Sequence, residues 1–149
     1  MLEVLSRWEE GTYHFEDYVF HPRWTEILRL AAARLRLAHA GRTGRQKATA
    51  FVQKILHVAD PFPDAQRSLQ LVCLILADDV NISDELLQEI LDRVVQILSS
   101  QDQQELREAF SHLFQEILYS DAKNAFLQKL ETCFPSRGIP SCIKITFIS

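Results

Sequence analysis

The chain has 149 residues and a formal net charge of -4, and it is 47% hydrophobic and 24% charged. That length is enough for one domain burying roughly 70 % of its unfolded surface, and the composition is that of a folded protein and wrong for a disordered one. No apolar run approaches the ~18–20 residues needed to cross a bilayer, and the start Met1-Leu2-Glu3-Val4 lacks the basic region of a secretory signal. The expectation is therefore a cytoplasmic protein with no membrane partner.

In chain order, Leu2 to Glu10 reads as a short amphipathic helix with Leu2, Leu5 and Trp8 at about helical spacing, closed by Gly11. Thr12 to Phe20 carries Tyr13, Phe15, Tyr18, Val19 and Phe20, a β-type composition that predicts a strand or extended connector. Pro22 suits the first turn of a helix, where its missing N–H costs nothing, and Trp24, Ile27, Leu28, Ala31 and Leu35 continue as one apolar stripe up to Gly41.

Thr43 with Gln46 resembles a capping box ahead of Ala48, Phe51, Val52, Ile55 and Leu56, with Asp60-Pro61 as the stop. Asp64 is the expected cap of a third long helix, apolar on nearly all sides between Leu69 and Ala77 and so expected in the middle of the packing. Ser83 caps the fourth, with Asp84 and Glu85 suiting the helix dipole and a stripe of Leu86, Leu87, Ile90, Leu91, Val94, Val95 and Leu98. Asp102 and Glu105 open a fifth, and a sixth runs from about Asp121 to Cys133. Pro135, Gly138 and Pro140 end it, and the tail Ser141 to Ser149 alternates Ile143, Ile145 and Phe147 in a strand-like way.

Helix starts thus recur about every 20 residues, so two helices make a unit of roughly 40, the period of HEAT and armadillo-type repeats. Such units cannot bury their apolar faces alone, and they stack. The expected fold is all-α, a HEAT/armadillo-like α-solenoid of about three helix pairs. It comprises an N-terminal helix and extended segment (1–21), repeats (22–134) and an irregular or strand-like tail (135–149). Trp24, Leu28, Phe51, Leu74, Leu91, Val95, Phe110 and Phe114 are the expected core anchors.

The chemistry-bearing patterns are thin. Gly41-Arg42-Thr43-Gly44-Arg45-Gln46-Lys47 has its glycines too close for a phosphate-binding P-loop, and Ala48 supplies no hydroxyl. Asp79, Asn81 and Ser83 match the first spacings of a calcium loop, but Asp84 replaces the glycine and Ile90 the bidentate Glu. His14, His21, His39, His57 and His112 form no HxxxH or HExxH group. Cys73, Cys133 and Cys142 are an odd set without a CxxC pair, and Cys73 reads as a small buried hydrophobe. No metal site, cofactor or catalytic site is expected.

The most specific string runs from Tyr13-His14-Phe15 to Phe20-His21-Pro22-Arg23-Trp24-Thr25-Glu26-Ile27-Leu28. With the 20-residue helices that follow, it resembles the C-terminal side of NACHT-type (STAND) NTPases over about Trp8 to Leu98. There a winged helix ends in a Phe-His step before an aromatic–x–Glu helix, and HEAT-like repeats follow. The resemblance implies that His21 could meet a nucleotide phosphate, but no Walker motif is present, so that role requires a separate NTPase domain.

Charge is uneven. Arg23, Arg29, Arg34, Arg36, Arg42, Arg45, Lys47 and Lys54 face only Glu26 between Arg23 and Ala59, whereas Asp60 to Phe134 has fourteen acidic residues against five basic. The two regions could attract one another or orient an anionic partner. The expected function is a non-catalytic protein–protein interaction, sensor or scaffold module, like the repeat region of a NACHT-type signalling NTPase. The alternative is nucleic-acid binding along residues 23–54 through Arg29, Arg34, Arg36, Arg42, Arg45 and Lys47, with phosphate contacts that fade in salt.

Overall fold

The structure, a computed structural model, describes residues 2–11, 14–38, 41–120 and 122–133. Seven α-helices account for most of them: α1 (Leu2–Glu9), α2 (Pro22–Ala38), α3 (Gly41–Leu56), α4 (Arg67–Ala77), α5 (Asp84–Ser99), α6 (Gln104–Leu118) and α7 (Lys123–Cys133). Two 3-10 turns, Phe15–Asp17 and Pro63–Ala65, complete the set, and no strand occurs among the described residues. The protein is all-α.

The extended segment expected over 12–20 is corrected. Thr12 and Tyr13 lie outside the described residues, and the rest forms the 3-10 turn at Phe15–Asp17 followed by a tight turn in which His21 N–H donates to the Tyr18 carbonyl at 2.9 Å. A strand needs a neighbour for its backbone groups, and none is present among the described residues. The aromatics instead act as anchors. Val19 is buried, Phe20 packs on the core, and the Tyr18 ring stacks on Trp24 at 4.7 Å.

Helix starts also move. Asp64 is not the cap of α4: it sits in the Pro63–Ala65 turn, and Gln66 adopts a left-handed conformation (φ 49°) that separates that turn from α4. The residue that organises this end is Asp60, whose carboxylate accepts the backbone N–H of Phe62 at 2.8 Å and of Arg67 at 3.1 Å. Helix α3 begins at Gly41, two residues before Thr43, and α6 begins at Gln104, beyond Asp102. Asp121 and the tail 135–149 lie outside the described residues. Ser83 does cap α5: its hydroxyl accepts Leu86 N–H at 3.3 Å, with Asp84 and Glu85 in the first turn.

α4 is central, packed against α2, α3 and α6, while α5 meets α6 and α7, and α1 lies on α2. Leu28, Phe51, Leu91, Val95, Phe110 and Phe114 are buried as expected, whereas Trp24 and Leu74 are only half-buried. Trp8 of α1 meets Phe51 edge-on at 5.1 Å, and Phe114 packs on Phe126 of α7 at 4.4 Å. Contacts at the helix ends fix their directions. The C-terminal half of α2 meets the α4–α5 loop through Arg36 and Asp79, and the first turn of α6 lines a groove with Asp64, Ala65 and Gln70 beside the start of α4. Helices α2, α4 and α6 therefore run parallel, and successive loops fall at alternate ends of the molecule.

Candidate functional site

The loop between α4 and α5, residues 78–83, receives three of the basic residues singled out above, Arg29, Arg36 and Arg45. Arg29 on α2 makes a bidentate pair with Asp78, both bonds at 2.8 Å, and reaches Glu26 at 3.3 Å. The hydrogen bonds that Arg29 donates to Asp78 raise the Arg29 pKa above its ordinary value against the opposing effect of burial, and Glu26 and Glu116 add to the same direction. About two turns further along α2, Arg36 donates to the Asp79 carbonyl at 2.6 Å. Arg45 on α3 donates to the Ile82 carbonyl and to Asp84, each at 2.9 Å. Thr49 completes the stitch: its hydroxyl accepts Ser83 N–H at 2.8 Å and donates to the Arg45 carbonyl at 2.7 Å.

Lys47 pairs with Glu9 of α1 at 2.6 Å, and Lys54 with Glu16 at 3.2 Å. The basic helices are thus bolted to the acidic loop and to the N-terminal segment. A guanidinium already holding a carboxylate in bidentate geometry is not available to a phosphate without breaking that pair. Arg34 and Arg42 are exposed, with no ion pair or hydrogen bond to another described residue.

His21 stands at the start of α2, exposed. Its Nδ1 accepts the Arg23 backbone N–H at 3.3 Å and its carbonyl accepts Trp24 N–H at 2.8 Å, so it works as the helix cap. Opposite it, the Arg67 guanidinium lies over the Phe20 ring at 4.4 Å and the Phe62 ring at 5.3 Å, and binds Asp60 at 2.9 Å. Burial alone would push the Asp60 carboxyl up; Arg67 and the two backbone N–H groups outweigh it and hold the pKa below its ordinary value.

Nucleophile and metal chemistry find little footing among the described residues. Cys73 is buried, and that burial pushes its thiol pKa to about 12, so it stays protonated. No group of three His, Cys, Asp or Glu converges there as a metal would require. An open groove of about 830 Å³ is lined by Asp64, Gln70, Asp102, Glu105, Glu108 and neighbours between α4 and α6.

The feature that sequence reading did not single out is the outward side of the α2–α4–α6 row. On α2, Leu30 and Leu37 remain 49% and 81% exposed, with Arg34 between them. On α4 the half-buried positions Gln70, Leu74 and Ala77 fall on one stripe. On α6 the exposed positions are Glu105, Glu108, His112, Gln115, Glu116 and, just past its end, Tyr119 at 91% exposure. The signal was present as a second apolar series on α2, but the wider stripe of Leu28, Ala31 and Leu35 masked it.

No family model matches the chain, and neither the curated proteins nor the solved structures contain a match. No helix among the described residues is long and apolar enough to cross a membrane.

Proposed function

We propose that the protein is a non-catalytic interaction or scaffold module acting in the cytoplasm, built as a short HEAT-like solenoid, whose docking surface is the outward side of α2, α4 and α6. The observation that carries this reading is the pair of exposed leucines on α2, Leu30 and Leu37, on a helix whose other side is fully packed. Exposed apolar surface gathered on one stripe and rimmed by polar residues favours a contact surface, and Leu30 and Leu37 lie about two turns apart on one stripe of α2. Contacts between every second helix, α2 with α4, α4 with α6 and α5 with α7, support the solenoid. Kinship with the repeat region of NACHT-type NTPases rests on the Phe20-His21 to Trp24-Thr25-Glu26 string and the 20-residue helices that follow it; within that string His21 acts as a helix cap and would meet a phosphate only if a separate nucleotide-binding domain approached it.

The nucleic-acid alternative is weakened because Arg29, Arg36, Arg45 and Lys47 all hold partners within the chain. Arg34 and Arg42 alone give a shallow salt dependence, since the slope follows the number of phosphates contacted. The test places a photo-crosslinking side chain at position 37 in cells and, separately, titrates duplex DNA and RNA at several salt concentrations. Crosslinks to protein and no salt-dependent duplex binding are expected. Tight low-salt duplex binding that Arg34→Glu with Arg42→Glu abolishes, without a protein crosslink, would overturn the reading.

A further inference from the structure

We infer that the occupant of this surface is a second copy of the same chain, placed face to face by a two-fold axis parallel to α4. The inference rests on the docking surface proposed above and names what covers it.

On the outward side of α2, the cations Arg23 and Arg34 are eleven residues apart, with the apolar Leu30 and Leu37 interleaved, and neither cation has a partner among the described residues. Arg23 also sits in the first turn of its helix, where a positive charge opposes the helix dipole. On α6, the exposed acids Glu105 and Glu116 are likewise eleven residues apart, roughly 16 Å along a helix. The two helices run parallel and flank α4 (see Overall fold). Cationic side and anionic side therefore belong to one surface, with the half-buried Leu74 and Ala77 between them.

A two-fold axis along the helices reverses that surface left to right while keeping helix direction. It lays α2 on the partner's α6 and α4 on its own copy, a self-complementary contact that closes on itself. Laying the first turn of α2 on the first turn of the partner's α6 sets the register. Arg23 meets the partner's Glu105, Leu30 the partner's His112, Arg34 the partner's Glu116, and Leu37 the partner's Tyr119. Leu37 and Tyr119, the two most exposed of the large apolar side chains among the described residues, cover each other, and Arg23 and Arg34 gain acids. One like-charge pair results, Glu26 with the partner's Glu108, and each of these is already held by its own chain, by Arg29 at 3.3 Å and Gln104 at 3.0 Å.

The test is sedimentation of the full chain over a wide concentration range, with circular dichroism to verify that each variant is folded. The expected result is a monomer–dimer equilibrium that weakens with salt. Arg34→Glu and Glu116→Arg should each loosen it roughly tenfold to a hundredfold, and the two combined in one chain should restore it. Because Glu116 also lies near Arg29, the exchange is repeated with Arg23→Glu and Glu105→Arg, away from the Asp78 pair. Rescue by either charge exchange supports the inference. A monomer at every concentration overturns it, and if position 37 still crosslinks to another protein the docking surface survives without the dimer. Open-ended chains, or a dimer indifferent to all four substitutions, overturn it as well.

Discussion

The two ends of the molecule are held by clamps of opposite reach. At the Asp78–Asp84 end, Arg29, Arg36 and Arg45 bind residues 49, 43 and 37 positions further along the chain. At the other end Asp60 and Arg67 are seven residues apart, and the Phe62 ring, five residues before Arg67, completes the short-range clamp. A short-range clamp closes a small loop and forms at little entropic cost, whereas a long-range one is made only once the helices have docked. The first fixes the shape of one connection; the second fixes how α2 and α3 sit on α4 and α5. Arginine chemistry looks alike at both ends, and its reach decides what it controls.

Three substitutions separate these roles. Leu91 lies fully buried between the two ends, and Leu91→Ala should cost ~2–5 kcal/mol and loosen both together. A melting point within about 1 °C of the parent protein would show that no common core links them. Asp60→Ala removes an acceptor that is 8% exposed and serves two backbone N–H groups and a guanidinium, with an expected loss of ~2–3 kcal/mol. Amide exchange should accelerate over residues 57–67 and little elsewhere. Asp78→Ala acts on a pair that is about one-third exposed, so water partly replaces the lost acceptor and the loss should be ~1–2 kcal/mol. Its exchange signature should spread over α2 and the α4–α5 loop. If Asp78→Ala loosens only its own loop, the long-range role is wrong. The Asp60 clamp also carries a pH signature. Its folded pKa lies below the ordinary carboxylate value near 3.9, so its contribution is complete above that value and disappears as pH falls through the lower folded one. Asp60→Asn should flatten that acid limb.

The all-α class and the body of each long helix were legible because apolar spacing is a local property of the chain. α5 shows this best: one stripe, one Ser cap and two acids in the first turn all agree. The central position of α4 was legible too, from a run with no polar side. What escaped was anything decided between distant residues. Asp64 and Asp60 are both acids beside a proline, and only the guanidinium of Arg67, lying over the Phe20 and Phe62 rings, selects Asp60 as the organiser. The aromatic run ending at Phe20 has strand composition, but its rings find Trp24 and Arg67 before they find a neighbouring strand. Likewise, the basic stretch gave no sign of which cations were engaged, since their acceptors are carboxylates and carbonyls 37 or more residues away. Leu74, expected as a core anchor, is half-buried because α4 keeps one stripe toward the outward side.

The smallest expected effect is at Ser83, where both kinds of restraint meet in one residue. Its hydroxyl caps α5 locally, and its backbone N–H reaches Thr49 on α3, 34 residues earlier. Ser83→Ala removes only the first and should cost ~1 kcal/mol, while Ser83→Asn keeps an acceptor at the cap and should cost a few tenths. Thr49→Val keeps the cap but leaves the Ser83 N–H with no acceptor inside a part-buried turn. If the local cap dominates, the alanine variant unfolds first on heating and its amide exchange rises only in the first turn of α5. If the stitch to α3 dominates, the valine variant is the weaker protein and exchange rises across the Asp78–Asp84 loop, as Asp78→Ala should produce. A larger loss for Thr49→Val than for Ser83→Ala would therefore place the control of this end in its long-range contacts, whereas the reverse order would mean that the loop is held chiefly by the helix it begins.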